Sequence, residues 1–279
     1  MDSHQYSSMI LCTAQIAPCW KDPEATLVKM QKMVADSVEC DASFIAFPEQ
    51  VVTGWDPTDA EFGVEDEGGL IISQLREYAR DFSVGILGSY REYHTPRPRN
   101  TTVAIGADGQ ILARYSKIHL FSPGGEDQQY DPGDQIAPFL IDGCRCGLAI
   151  CYDLRFSDLF RLYRDVGVHL MMVPSAWPAL RMRHFDLFTS TRAAEYQMYV
   201  AGINTVGQTP VDLYSGGSLV ASPDGTAISR ACEGEELLFT EIDPVYVDQV
   251  RAEFPVYQDR RDVLYGRVRH SKESDLCHF

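Results

Sequence analysis

The chain has 279 residues, 45% of them hydrophobic, which is enough to bury a sizeable core, and it contains no uncharged apolar run of about eighteen residues that would span a bilayer. Its formal net charge of −16 repels phosphate at long range, which argues against non-specific binding to nucleic acid or anionic membranes and leaves a small molecule as the expected partner. The eight cysteines are scattered without paired CxxC or Cys/His spacing, which argues against zinc and against a disulfide scaffold; with Met1–Ser8 lacking signal-peptide character, an unexported, cytoplasmic protein is expected.

Strand-like and helix-like segments alternate from the start. Met9 to Ile16 is an apolar strand; Asp22-Pro23 then offers an N-cap and a first-turn proline ahead of Leu27, Met30, Met33 and Val34 at helical spacing. Ser43 to Phe47 is a second apolar strand that runs into Pro48-Glu49. A polar loop from Thr53 to Gly69 precedes a helix from Leu70 to Phe82, with Ile71, Leu75, Tyr78 and Ala79 on one face, and Val84 to Tyr90 is the next strand. Thr101–Ile105 and Ile111–Ser116 form a hairpin around an Asp108-Gly109 turn, with Lys117 at the end of its second strand. Residues 121–135 are rich in Gly, Pro and Asp and read as a loop; Cys144 to Ile150 is a strand ending at Cys151. Beyond it come a helix (Asp158–Asp165), a strand (His169–Val173), a helix (Phe185–Gln197), a strand (Tyr199–Asn204), a hairpin (Ser218–Ser222 with Thr226–Arg230), a strand (Leu237–Ile242) and a helix from Pro244 to about Phe254. No repeat or linker divides residues 1–260, so a single α/β domain is expected, with 261–279 as a polar tail on the surface or against a partner subunit.

Three polar residues that are costly to bury alone each end an apolar strand: Glu49, Lys117 and Cys151. Strands of one sheet can bring such ends together. A thiol is a weak nucleophile until deprotonated, so chemistry at Cys151 requires a base and a nearby cation, which Glu49 and Lys117 supply.

The strings around these residues, FPEQVVTGW, YSKIHLF and CGLAICYDLRF, with VPSAWP, TRAAEYQMYVAGINTVG and SLVASPDG further on, resemble the nitrilase superfamily of carbon–nitrogen hydrolases over roughly residues 8–260. The resemblance implies a four-layer α–β–β–α sandwich. It also implies a Glu–Lys–Cys triad, with Cys151 as nucleophile, Glu49 as proton acceptor and Lys117 facing the tetrahedral intermediate. A fourth polar residue falls on Glu126, or on Asp127 if the loop is shifted by one, and the Tyr152 backbone N–H would complete an oxyanion hole. The implied reaction is hydrolysis of a small carboxamide through a thioester, without metal or organic cofactor. KIHLF, CYDLRF and SAWP are most similar to the omega-amidase branch, which acts on 2-oxo dicarboxylate monoamides. N-carbamoyl amino-acid amidases and aliphatic amidases share the triad, and an idle interaction protein is the reading of another class. Members usually pair, so a homodimer or larger homo-oligomer is implied.

Trp177, Phe121 and Tyr152 are candidate pocket walls, and Arg181 and Arg183 candidate carboxylate binders. Arg155 could bind a substrate carboxylate, but the resemblance favours a structural turn that fixes the nucleophile's strand, and Cys144 and Cys146 read as core packing. His119 offers a papain-like Cys–His alternative.

Overall fold

A computed structural model describes residues 8–270. Among them, the strands form two large sheets and one two-stranded ribbon. In the first sheet the order is Glu236–Ile242, Met9–Gln15, Phe44–Ala46, Gly85–Glu92, Arg99–Ile105 and Ile111–Ser116, with Val64–Glu65 beside Gly85–Glu92. Met9–Gln15, Phe44–Ala46 and Gly85–Glu92 run parallel, and the hairpin and the Glu236–Ile242 strand pair antiparallel at the two sides. The second sheet runs Ala227–Arg230, Leu219–Ala221, Tyr199–Asn204, Leu170–Ser175, Cys144–Leu148 and Phe139–Ile141, with a parallel centre.

The period of two along each strand decides what lies where. Leu11, Phe44, Leu87 and Ala104 of the first sheet enter one apolar cluster with Leu148, Met172 and Ala201 of the second. Their neighbours Cys12, Ile45, Ile86 and Val103 point the other way, onto Leu27, Met30 and Val34 of helix Pro23–Val38 and Ile72 and Leu75 of helix Leu70–Phe82. On the far side of the second sheet, helices Ser157–Asp165 and Met182–Tyr196 contribute Leu159, Phe160, Phe185 and Ala193. The result is the expected four-layer α–β–β–α sandwich.

Local chemistry accounts for the helix starts. Asp22 accepts from the Ala25 N–H at 3.0 Å ahead of Pro23, and Asp243 accepts from the Val245 N–H at 2.8 Å ahead of Pro244. In the expected hairpin, Gly109 takes φ 76°, a left-handed conformation that glycine adopts without a Cβ penalty.

Three expectations are corrected, and the expected tail is described only in part. The segment 121–135 is not all loop: Ser122–Gly124 is a 3₁₀ turn and Glu126–Gln129 a helical turn. The strand before Cys151 stops at Leu148, and Cys151 opens a 3₁₀ turn through Arg155. Phe139–Ile141 and the ribbon Val206–Gln208 with Leu213–Ser215 were not expected as strands. The start of the tail is helical over Asp262–His270, with Val263 and Tyr265 exposed; residues 271–279 of the expected tail lie outside the described residues.

Candidate active site

Glu49, Lys117, Glu126 and Cys151 come together at the ends of the strands, in a buried cluster. Lys117 is placed by the backbone on both sides: its N–H donates to the Asn100 carbonyl at 2.8 Å, and its carbonyl accepts from the Gly133 N–H at 2.9 Å. Its Nζ donates to Glu49 Oε1 at 2.8 Å and to Glu126 Oε2 and Oε1 at 2.8 and 3.1 Å, with all three side chains at most 1% exposed. Burial opposes the ammonium charge, but the Glu126 and Glu49 carboxylates outweigh it and hold the Lys117 pKa well above the ordinary lysine value.

The two carboxylates differ in their free capacity. Glu126 Oε2 accepts from the Phe121 N–H at 2.7 Å as well as from Lys117, and its Oε1 accepts from Asn100 Nδ2 at 2.9 Å and faces Trp55 Nε1 at 3.5 Å. Glu126 is therefore saturated with donors and acts as an anchor. Glu49 Oε1 is filled by Lys117 and by Asn100 Nδ2 at 2.7 Å, whereas Oε2 takes one backbone donor, Ala176 N–H at 2.9 Å. The remaining lone pair on Oε2 can receive a proton, and Glu49 is near enough to the Cys151 thiol to raise its pKa.

Cys151 sits at φ 45°, a conformation that a non-glycine residue holds only at a cost of about 1–3 kcal/mol. Asp153 supports it. Its Oδ2 accepts from the Ile150 N–H at 2.9 Å and the Tyr115 hydroxyl at 2.7 Å, and its own N–H donates to the Ile150 carbonyl at 2.9 Å. Burial pushes the Cys151 thiol well above its ordinary range, the Glu49 charge adds to that, and Lys117 opposes. The resting sulfur is a neutral thiol, so attack requires the proton to leave as the bond forms.

A cavity with an open mouth lies over Cys151 and Lys117. Trp177, Phe121 and Tyr152 line it as expected, with Trp55 opposite, and Arg181 reaches it with its guanidinium 5.4 Å from the Phe121 ring centroid. Arg183 does not: it is exposed at the start of helix Met182–Tyr196 and is not among the lining residues.

Arg155 is the residue that takes the place expected of Arg183. It was expected to be structural, but it lines the cavity, its guanidinium 4.7 Å from the Trp177 ring centroid and 5.3 Å from that of Phe188. Burial, with the Arg181 charge added, lowers its pKa. Among the described residues no carboxylate lies within ion-pair distance of Arg155 or Arg181. The structural role falls to Asp153, two positions earlier. His119 is committed to the same aspartate: its N–H and Nδ1 lie 2.9 and 2.7 Å from Asp153 Oδ1, and its ring stacks on Phe156 at 3.7 Å. This geometry removes the Cys–His alternative. Cys144 and Cys146 are both fully buried in the core, sulfur to sulfur 4.0 Å. Among the described residues no group of three or more His, Cys, Asp or Glu side chains could hold a metal ion.

Sequence reasoning missed Asn100, Trp55 and the backbone N–H of Ala176. Trp55 closes the string FPEQVVTGW and was legible as a neighbour of Glu49; the other two carry no signal of their own.

Comparison with known proteins agrees with this geometry. The carbon–nitrogen hydrolase family description matches residues 11–252. Omega-amidase NIT2-B of Xenopus laevis is 31% identical over 256 residues, 86% of this chain and 90% of that one. The 2-oxoglutaramate amidase of Bacillus subtilis (strain 168) is 30% identical over 225 residues, 80% of this chain and 87% of that one. The crystal structure of XC1258 from Xanthomonas campestris, a CN-hydrolase superfamily protein, superposes with a TM-score of 0.85 at 25% identity, covering 91% of this chain and 97% of that one. The chain belongs to the carbon–nitrogen hydrolase family, on its omega-amidase-like side, and is a cysteine-dependent amide hydrolase.

Proposed function

We propose that the chain hydrolyses the terminal amide of a small substrate that carries a carboxylate at its other end, with 2-oxo dicarboxylate monoamides such as 2-oxoglutaramate as the leading class. The observation that carries this reading is the pair of guanidiniums, Arg155 and Arg181, in the same cavity as a thiol and an ammonium; Asp212 also lines this cavity, but among the described residues no carboxylate is within ion-pair distance of either arginine. An anionic substrate end would pair with these guanidiniums, and bidentate guanidinium–carboxylate pairing would fix its distance from the sulfur. The names of the amidases similar to this chain agree with that class.

In the chemistry we infer, Glu49 Oε2 takes the thiol proton as Cys151 Sγ attacks the amide carbon. The tetrahedral oxyanion faces Lys117 Nζ and the Tyr152 N–H, donors already in place before charge develops. Collapse breaks the C–N bond, ammonia leaves with the proton from Glu49, and a thioester remains on Cys151. Water then gives a proton to Glu49 as its oxygen attacks the thioester; the carboxylic acid departs and the sulfur recovers the proton. Glu126 holds Lys117 in place and exchanges no proton.

Ammonia release from 2-oxoglutaramate, succinamate and uncharged butyramide, measured beside Cys151→Ala, tests the reading. Turnover of the carboxylated amides at least tenfold faster than butyramide, absent in Cys151→Ala, is expected. Preference for butyramide would overturn the substrate class in favour of an aliphatic amidase, and a well-folded protein silent on all amides would favour an interaction protein.

We also propose a homodimer in a reducing compartment such as the cytoplasm. Exposed Leu162 and Leu187 on helices Ser157–Asp165 and Met182–Tyr196, with exposed Val166 just after the first, support the homodimer, and the unpaired state of all cysteines among the described residues supports the reducing compartment. Light scattering at known concentration decides the oligomeric state.

A further inference from the structure

We propose that Asn100 is a positioning residue of the reaction. Its side-chain amide ties the Glu49 and Glu126 carboxylates together, so that both stay ionised around one lysine and Glu49 keeps Oε2 turned to the thiol. The inference rests on the acid–amine–thiol chemistry proposed above and adds a member to it.

The charge balance of the cluster poses the problem that Asn100 solves. Glu49, Glu126 and Lys117 are all buried and carry a net negative charge if all are ionised. Two carboxylates held against one ammonium repel one another, and the ordinary outcome is that one binds a proton. A protonated Glu49 could not accept the thiol proton. Asn100 Nδ2 donates one hydrogen to Glu49 Oε1 at 2.7 Å and the other to Glu126 Oε1 at 2.9 Å, so a neutral group adds two donors where the charge is in deficit.

Three further observations fit this role. Asn100 is fully buried, and its carbonyl accepts the N–H of Lys117, so the same residue fixes the lysine's backbone and the partners of its ammonium. The orientation of its amide is set by chemistry: a flip would place Oδ1 against two carboxylate oxygens. Asn100 Oδ1 is itself buried and without a hydrogen-bond partner among the described residues. A side chain selected for packing would not keep an orphaned acceptor, whereas one selected for its NH₂ group accepts that cost.

Among the described residues, the charged or titratable groups recorded against Glu49 come from different elements: Lys117 from just after Ile111–Ser116, Cys151 from its 3₁₀ turn and, farther off, Tyr214 from the ribbon strand Leu213–Ser215, with Glu126 of Glu126–Gln129 sharing the lysine. None of these offers a neutral donor to both carboxylates. Serine keeps one donor, alanine none, and aspartate adds a third negative charge.

The test compares wild type with Asn100→Ala and Asn100→Ser after thermal melting has confirmed that each folds. Two pH profiles are recorded from about pH 5 to about pH 10: kcat/KM on the best amide of the panel, and the rate at which iodoacetamide alkylates Cys151, located by peptide mass spectrometry. With its donors removed, the acid limb of both profiles in Asn100→Ala moves up by about one pH unit or more, and Asn100→Ser moves by less. Rates return towards wild type on the alkaline side of the limb, and KM changes little. Should Asn100→Ala fail to fold, the displaced limb in Asn100→Ser decides. A profile lowered uniformly with its acid limb unmoved, or melting loss without any pH displacement, would overturn the proposal. If wild type turns over no amide on the panel, the substrate reading fails, and the alkylation profiles still decide the role of Asn100.

Discussion

Replacing Lys117 with methionine tests the electrostatics of the site most directly, because methionine fills a similar volume without the charge. The substitution removes three contacts, at 2.8, 2.8 and 3.1 Å, between side chains at most 1% exposed. Breaking a buried ion pair costs about 3–5 kcal/mol when the remaining charge has no partner, and here two carboxylates are left facing each other. They can escape by sharing a proton. That proton is bound more tightly in the folded protein than by an unfolded glutamate, so its stabilisation is present below about pH 4.3 and is lost as the pH rises through the raised folded value. The Lys117→Met penalty, measured as a difference from wild type at the same pH, should therefore be about 1–2 kcal/mol near pH 5 and about 3–5 kcal/mol near pH 8. At about 2–4 °C per kcal/mol, the gap in melting temperature between variant and wild type widens by several degrees between those pH values. Differential scanning fluorimetry reads the gap, and ammonia release reads turnover, which should fall by at least about 10²–10³-fold for loss of the oxyanion cation. An equal penalty at both pH values, or turnover within tenfold of wild type, would refute the view that Lys117 holds two ionised carboxylates.

Three further outcomes follow from the same geometry. The folded state holds protons on Lys117 and on the Cys151 thiol more tightly than the unfolded chain does, so the unfolded state sheds them first and stability falls from about pH 8.5 upward. Cys151→Ala should lose less melting temperature than wild type between about pH 8 and pH 10; an identical loss would show that the thiol contributes nothing. Arg155→Met should lower kcat/KM on a carboxylated amide by about 10–100-fold, the worth of a charged hydrogen bond, while turnover of butyramide and the exposed control Arg183→Met stay within about threefold. Gly133→Ala would set a Cβ 2.1 Å from the Ser116 carbonyl oxygen, beside the residue that carries the ammonium. That clash is with backbone, which cannot swing aside, so a loss of about 1–3 kcal/mol with reduced kcat is expected, against no change if the loop simply shifts.

The strands of the fold were legible because both faces of most of them are buried, so Met9–Gln15, Phe44–Ala46 and Tyr199–Asn204 read as continuous apolar runs with polar breaks between them. The elements that escaped are those whose order comes from neighbours. Phe139–Ile141 is three residues long with Leu140 exposed, and it exists as a strand because Cys144–Leu148 offers it an edge. The ribbon Val206–Gln208 and Leu213–Ser215 alternates too briefly around Thr209-Pro210 to show a period, yet it brings Asp212 to the cavity.

A similar distinction separates the site residues that could be read from those that could not. Glu49, Lys117 and Cys151 each end a run of apolar residues, and an ionisable or nucleophilic group at such a place is costly unless it has work to do, so the chain itself marks them. Asn100 lies in a strand with polar neighbours on both sides, where an amide is ordinary, and its two carboxylates are 51 and 26 residues away in sequence. Its meaning arises only where a hairpin strand, a strand end and a helical turn converge. Arg155 differs again: the turn that carries it is visible in CYDLRF, but the direction of its guanidinium is set by Trp177 and Phe188 from two other segments. A local string can thus announce a nucleophile's turn, because the strained φ and its Asp153 cap are local. The side chains proposed to meet the substrate's non-reacting end are placed by tertiary packing, which is why amide hydrolysis was legible from the sequence, whereas the choice of Arg155 over Arg183 beside Arg181 needed the cavity.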